Sequence, residues 1–159
     1  AAEAQGCPAV SLSGPAAGIF TDGHYGEAEI TQIDTDRIMK ELYAGRAVVV
    51  AGFQGAAPNG DVATLGRGGS DTSAVALAAA LGAKICKIYT DVEGVYTADP
   101  RLDPSAKKLD SISYDEMLAM AKAGAQVLHP RAVELAKKHK VPVEVLSSFT
   151  GTPGTVLMQ

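Results

Sequence analysis

Thr64-Leu-Gly-Arg-Gly-Gly-Ser-Asp71 runs straight into Thr72-Ser-Ala-Val-Ala-Leu-Ala-Ala-Ala-Leu81, joining a glycine-rich turn to an apolar helix. Three glycines flank a single arginine, and Ser70 or Asp71 is placed to cap the helix that follows. Glycine lets a backbone come close to a ligand because no Cβ intervenes. The N–H groups and dipole at a helix start attract an anion. Arg67 adds a planar fork suited to a carboxylate or phosphate. The same residues would also make a plain tight turn over a buried helix, with Arg67 on the surface. The anion site is the sharper expectation.

The flanking sequence sets the fold class. Before the loop, Ala9–Leu12 and Glu27–Ile33 read as strands. Thr35 can cap a helix carrying Ile38, Met39 and Leu42, closed by Gly45. Ala47-Val-Val-Val-Ala51 reads as a buried, parallel strand. The Ser73–Leu81 helix is apolar nearly all round, so it belongs inside the domain. Beyond it, Lys84–Thr90 is a strand and Asp91–Leu109 a long polar loop. Ser113 and Glu116 form a capping box, and Pro130 opens a further helix where Leu128 can staple onto Val133. Val143–Leu146 is a last strand. Strands alternating with helices predict an α/β domain around an open, mainly parallel sheet.

Composition is consistent with one globular domain of 159 residues, with 47% apolar and 20% charged residues. No stretch approaches a membrane span, and Ala1–Gly6 lacks the features of a secretion signal. Cys7 and Cys86 have neither paired nor metal-ligand spacing, which predicts reduced thiols and a cytoplasmic protein. A net charge of −4 argues against general nucleic-acid binding. Residues 1–36 carry six acids and no Lys or Arg, whereas residues 101–140 carry eight bases against five acids. That bias reads first as solvated faces, and second as a positive edge beside a phosphate site.

Ligands of open parallel sheets sit beyond the carboxyl ends of the strands. The Gly52–Asp71 and Asp91–Leu109 loops each follow a strand, so they are expected to open on one edge and share a site. No Walker motif or dinucleotide fingerprint occurs. His24, His129 and His139 are scattered and read as structural, His129 as a helix cap. In the second loop, Thr90 and Asp91 are placed to hydrogen-bond a ribose or an amine. Tyr96 can stack on a base and Arg101 can meet a phosphate. Together the loops suggest a nucleotide and a small anion bound side by side.

Five segments carry a closer resemblance: Phe53-Gln-Gly55, Thr64–Ala74, Tyr89-Thr-Asp-Val-Glu-Gly-Val-Tyr-Thr-Ala-Asp-Pro-Arg101, Val127-Leu-His-Pro-Arg-Ala-Val-Glu134 and Ser147-Ser-Phe-Thr-Gly-Thr-Pro-Gly154. Over essentially its whole length the chain resembles the aspartate kinases of the amino acid kinase family. The resemblance implies a three-layer α/β fold with helices on both faces of the sheet. It also implies transfer of the γ-phosphoryl of MgATP to the side-chain carboxylate of L-aspartate, the first step toward lysine, threonine and methionine. Phe53, Arg67 and Ser70 would then form the aspartate site, with Arg67 clamping a carboxylate and Asp71 organising charge around the reacting phosphate. Thr90, Asp91, Tyr96, Arg101 and Gln126 would line the nucleotide, with Asp99 shaping the loop. Magnesium would arrive with ATP, and no protein metal site is implied.

Two departures qualify that expectation. The family's N-terminal Lys-Phe-Gly-Gly-Thr-Ser phosphate loop does not occur, and Gln126 stands where many relatives have a lysine. Losing one donor to a transferred phosphoryl group typically costs ~10²–10³ in rate. Residues 1–159 therefore read as part of a catalytic domain, incomplete at its N-terminus and without a regulatory domain. Alone, it is expected to be inactive, and in the intact protein to form a homo-oligomer. A kinase of glutamate or acetylglutamate, and a non-catalytic nucleotide-binding fragment, are the alternatives.

Overall fold

The computed structural model describes residues 1–125 and 127–159, which fall into two compact units, Ala1–Leu81 and Gly82–Gln159. The first unit begins with a short 3-10 turn, Glu3–Gln5, followed by the strands β1 (Ala9–Leu12), β2 (Ile19–Thr21) and β3 (Ile30–Ile33). Next come helix α1 (Asp36–Tyr43) and strands β4 (Ala47–Val50), β5 (Gln54–Ala56) and β6 (Val62–Thr64). Helix α2 (Gly69–Ala80) closes the unit.

β1 and β4 pair in parallel with Ala9 opposite Ala47, as expected of Ala47–Ala51. The strand is not buried, however: in this two-stranded sheet Val49 is 56% exposed and the other β4 residues are half-buried. Leu12, Ala17 and Ile38 form a core cluster there, with Val10, Val48, Val50, Leu77 and Leu81 packed against it. α1 and α2 are therefore tied to this sheet by their apolar side chains. The other four strands form a second sheet in the order β3-β2-β5-β6. A small cluster of Ala28, Ala57, Ala63 and Leu65, with Ile30 against it, fills its face.

The second unit holds β7 (Cys86–Thr90), β8 (Ser111–Ser113), α3 (Tyr114–Lys122), α4 (Pro130–His139), β9 (Val143–Ser147) and β10 (Thr155–Met158). Its sheet runs β7-β9-β10-β8, with β7-β9 and β10-β8 parallel and β10-β9 antiparallel. α3 packs on α4, and the Tyr114 hydroxyl donates to the Val141 carbonyl at 2.8 Å.

The α/β class is as expected, and of the seven described strand pairings four are parallel. The local readings fare unevenly. The capping box forms as read: Glu116 N–H donates to Ser113 Oγ, and Ser113 N–H donates to Glu116 Oε2. His129 caps α4 through Nδ1, and Leu128 and Val133 are both buried. Thr35 occupies the cap position of α1 but makes no side-chain cap bond. Asp34 Oδ1 accepts the Asp36 N–H instead. The strand read from Glu27 starts at Ile30, because Gly26 and Glu27 belong to a turn. Among the described residues, no helix is long and apolar enough to cross a membrane.

Candidate functional site

In the first unit the glycine-rich loop follows β6. Gly66 and Gly68 both take left-handed backbone conformations, φ +74° and +73°. Gly68 is the N-cap of α2, so neither Ser70 nor Asp71 caps the helix and no side-chain cap bond is made. The reason is steric. The turn needs a left-handed residue immediately before the helix, and glycine adopts that without strain. The helix thus starts at Gly69, leaving exposed Ser70 and half-buried Asp71 in its first turn. Arg67 stands exposed between the two left-handed glycines.

Phe53 lies against this turn and is itself left-handed, at φ +71°, a conformation non-glycine residues rarely adopt. Three contacts hold it. Its N–H donates to Ser73 Oγ at 2.9 Å, and its carbonyl accepts from Leu65 N–H at 3.0 Å. Its ring covers Gly69 so closely that a Cβ there would meet Phe53 Cδ2 at 2.8 Å. Ser73, only 1% exposed, donates in turn to the Gly69 carbonyl at 2.7 Å. One buried serine therefore ties Phe53 to Gly69 at the start of α2, and Ser70 and Asp71 follow in the same first turn. The role of Ser73 was not legible in the sequence, since its partner lies 20 residues away.

In the second unit Thr90 ends β7 and donates to Asp91 Oδ1 at 3.1 Å. Ser148 secures this strand end, its N–H and hydroxyl both donating to the Thr90 carbonyl. Tyr96 donates to Glu93 Oε2 at 3.3 Å. Partial burial, then the Glu93 charge, push its phenol above the ordinary range. Asp99 accepts the Arg101 backbone N–H at 2.9 Å and two guanidinium hydrogens at 3.2 and 3.3 Å. The same bonds lower the Asp99 carboxyl and raise Arg101. Arg101 is thus paired within its own loop, and its exposed guanidinium keeps donors for a further anion. Gln126 lies outside the described residues. A concavity lined by Leu109, Ser111, Ile112, Glu116, Ala119 and Met120 contains none of the expected site residues.

The left-handed glycine turn thus leads into an apolar helix and the polar loop follows a strand, each on an α/β unit. Residues 1–147 match the amino acid kinase family, and the chain belongs to it. It is 55% identical to the aspartokinase of Thermus thermophilus over 98% of this chain, and 57% identical to that of Geobacillus stearothermophilus, again over 98%. In each case the chain spans 38% of the relative's length. Among solved structures it resembles E. coli aspartokinase III in complex with aspartate and ADP, with a TM-score of 0.89 and 35% identity. That match covers 99% of this chain and 36% of the E. coli chain.

Proposed function

We propose that this chain is the aspartate- and nucleotide-binding part of a phosphotransferase that converts L-aspartate and MgATP to 4-phospho-L-aspartate and ADP. The observation that carries the reading is the turn at Gly66–Gly69. It leads into the start of α2, which meets a Phe53 held in a left-handed conformation, and it carries Arg67 exposed between its glycines. The aspartokinase relatives at 55–57% identity support the choice of substrate.

The chemistry asks little of side chains. A carboxylate is already a nucleophile, so its oxygen attacks the γ-phosphorus and ADP departs without a general base. Rate then comes from positioning and charge stabilisation. Arg67 holds the aspartate α-carboxylate or side-chain carboxylate by its planar fork. Phe53 and Ser70 shape the aspartate pocket, and Asp71 orders the charged groups near the reacting phosphate. Thr90, Asp91, Tyr96, Asp99, Arg101 and Gln126 serve the nucleotide. Among the described residues no group of three or more His, Cys, Asp or Glu converges on a metal position. Magnesium would enter on the phosphates of ATP, with water completing its coordination. We place the protein in the cytoplasm, in keeping with two reduced thiols, Cys7 and Cys86.

The test is a thermal melt of the chain with MgADP, followed by L-aspartate or L-glutamate, because a ligand of the folded state raises the melting temperature. A saturable rise with MgADP, enlarged by aspartate and not by glutamate, is expected. Enlargement by glutamate instead would move the substrate to another small carboxylate. Arg67→Ala should remove the aspartate increment and keep the nucleotide one. A charged hydrogen bond worth ~1.5–3 kcal/mol makes that a loss of roughly 10- to 100-fold in affinity.

A further inference from the structure

One hydroxyl ties both sides of the neck of the Asp91–Leu109 loop to β10. Thr155, at the start of β10, is fully buried at 0% exposure, yet its side chain is polar. Its Oγ1 accepts the Val95 N–H at 2.8 Å. Its single proton goes to the Leu109 carbonyl at 2.6 Å, the Val95 carbonyl lying farther off at 3.4 Å. The two sides of the neck also bond each other, Leu109 N–H to the Val95 carbonyl at 2.8 Å. Thr97 and Lys107 continue the closure, Thr97 N–H to the Lys107 carbonyl and Lys107 N–H to Thr97 Oγ1. Gly94 completes the fit, because a Cβ there would meet Thr155 Oγ1 at 2.5 Å.

We infer that Thr155 is a positioning residue for nucleotide binding: it fixes where Tyr96, Asp99 and Arg101 stand by holding both sides of their loop to β10. The inference rests on reading that loop as the nucleotide element. Everything from Tyr96 to Lys108 emerges between the two residues Thr155 ties together. Without the hydroxyl, the buried Val95 N–H and the half-buried Leu109 carbonyl lose their partner, and the loop neck loosens as they turn to water. Valine keeps the shape of threonine and removes the bonds, whereas serine keeps the bonds.

The experiment compares the parent chain with Thr155→Val, Thr155→Ser and Val133→Ala, the last in a buried position of α4. Each is titrated calorimetrically with MgADP well below its melting temperature. Amide exchange at Val95, Thr97 and Leu109 is followed without nucleotide. Thr155→Val should weaken MgADP about tenfold or more, the equivalent of one lost ~1.4 kcal/mol interaction, and speed exchange at the three amides. Thr155→Ser should stay within about threefold of the parent, and Val133→Ala should lower the melting temperature alone. If Thr155→Val does not fold, Gly94→Ala carries the same expectation. Parental affinity and exchange in a folded Thr155→Val overturn the inference while leaving the nucleotide reading intact. Equal weakening in Val133→Ala also overturns it. Absence of MgADP binding by the parent chain overturns the nucleotide reading, and the inference with it.

Discussion

Asp22 and His24 show how far one short interaction can be followed. Asp22 Oδ2 meets His24 Nδ1 at 2.8 Å, and Asp22 Oδ1 accepts the backbone N–H groups of His24 and Glu29. The side-chain bond to His24 is the main reason the Asp22 carboxyl falls to about 2, and its counterpart raises the imidazole above 6.5. The signs set a window. The histidine contribution is fully present below its unfolded value and fades as pH rises through the raised one. The aspartate contribution is present above its ordinary value, near 3.8, and fades as pH falls toward about 2. The turn between β2 and β3 is therefore best held between roughly pH 4 and 6.5. NMR titration should place the His24 midpoint above 6.5, and Asp22→Asn should return it to the ordinary value. An unchanged midpoint in that variant would mean the pair does not form in solution. His24, read from the sequence as structural, is an exposed side chain paired with an acid two residues away, a spacing that made the partner reachable.

Elements whose signals lie within a few residues were legible, and those set by distant partners were not. The Ser113–Glu116 box and Pro130 behind His129 are local chemistry, so α3 and α4 start where the sequence places them. Ser113→Ala should cost ~1 kcal/mol of stability and lower the melting temperature by ~4–8 °C if the 78-residue second unit melts by itself. A melt shifted by less than a degree would show that the packing of Tyr114 and Met117 fixes the helix start without the cap. β2, β5, β6 and β8 run three residues each, too short for period-two alternation to show. β5 in particular reads Gln-Gly-Ala. It is a strand because Gly55 lets Ile19 and Thr21 pack where a Cβ would collide. The α2 cap was misplaced for a related reason: serine and aspartate are the usual caps, but a left-handed turn next to the helix demands glycine. Within the candidate site, Asp99 and Arg101 lie close enough in sequence to be seen as neighbours. Ser73 and Thr155 act on residues 20 and 60 positions away, beyond any local pattern.

At the scale of the whole molecule, the division at Leu81 and Gly82 assigns each loop to its own unit. Arg67 and the start of α2 belong to the first, and Thr90 through Arg101 to the second. Each ligand should therefore leave a separate footprint when added alone. L-aspartate, drawn to the guanidinium and the helix start, should slow amide exchange within residues 52–71. MgADP should slow it within residues 90–109. Mass-spectrometric exchange on the 159-residue chain resolves the two, because the segments fall in different peptides. Protection by aspartate confined to Gly82–Gln159 would remove the carboxylate from the glycine turn and sink the assignment of Arg67. Protection by MgADP confined to the first unit would instead make the glycine turn a nucleotide phosphate cradle. Matched footprints would show that each unit already carries its own half of the chemistry. That outcome is physically reasonable, because Phe53 is set by Ser73 and Val95 by Thr155, each within its own unit.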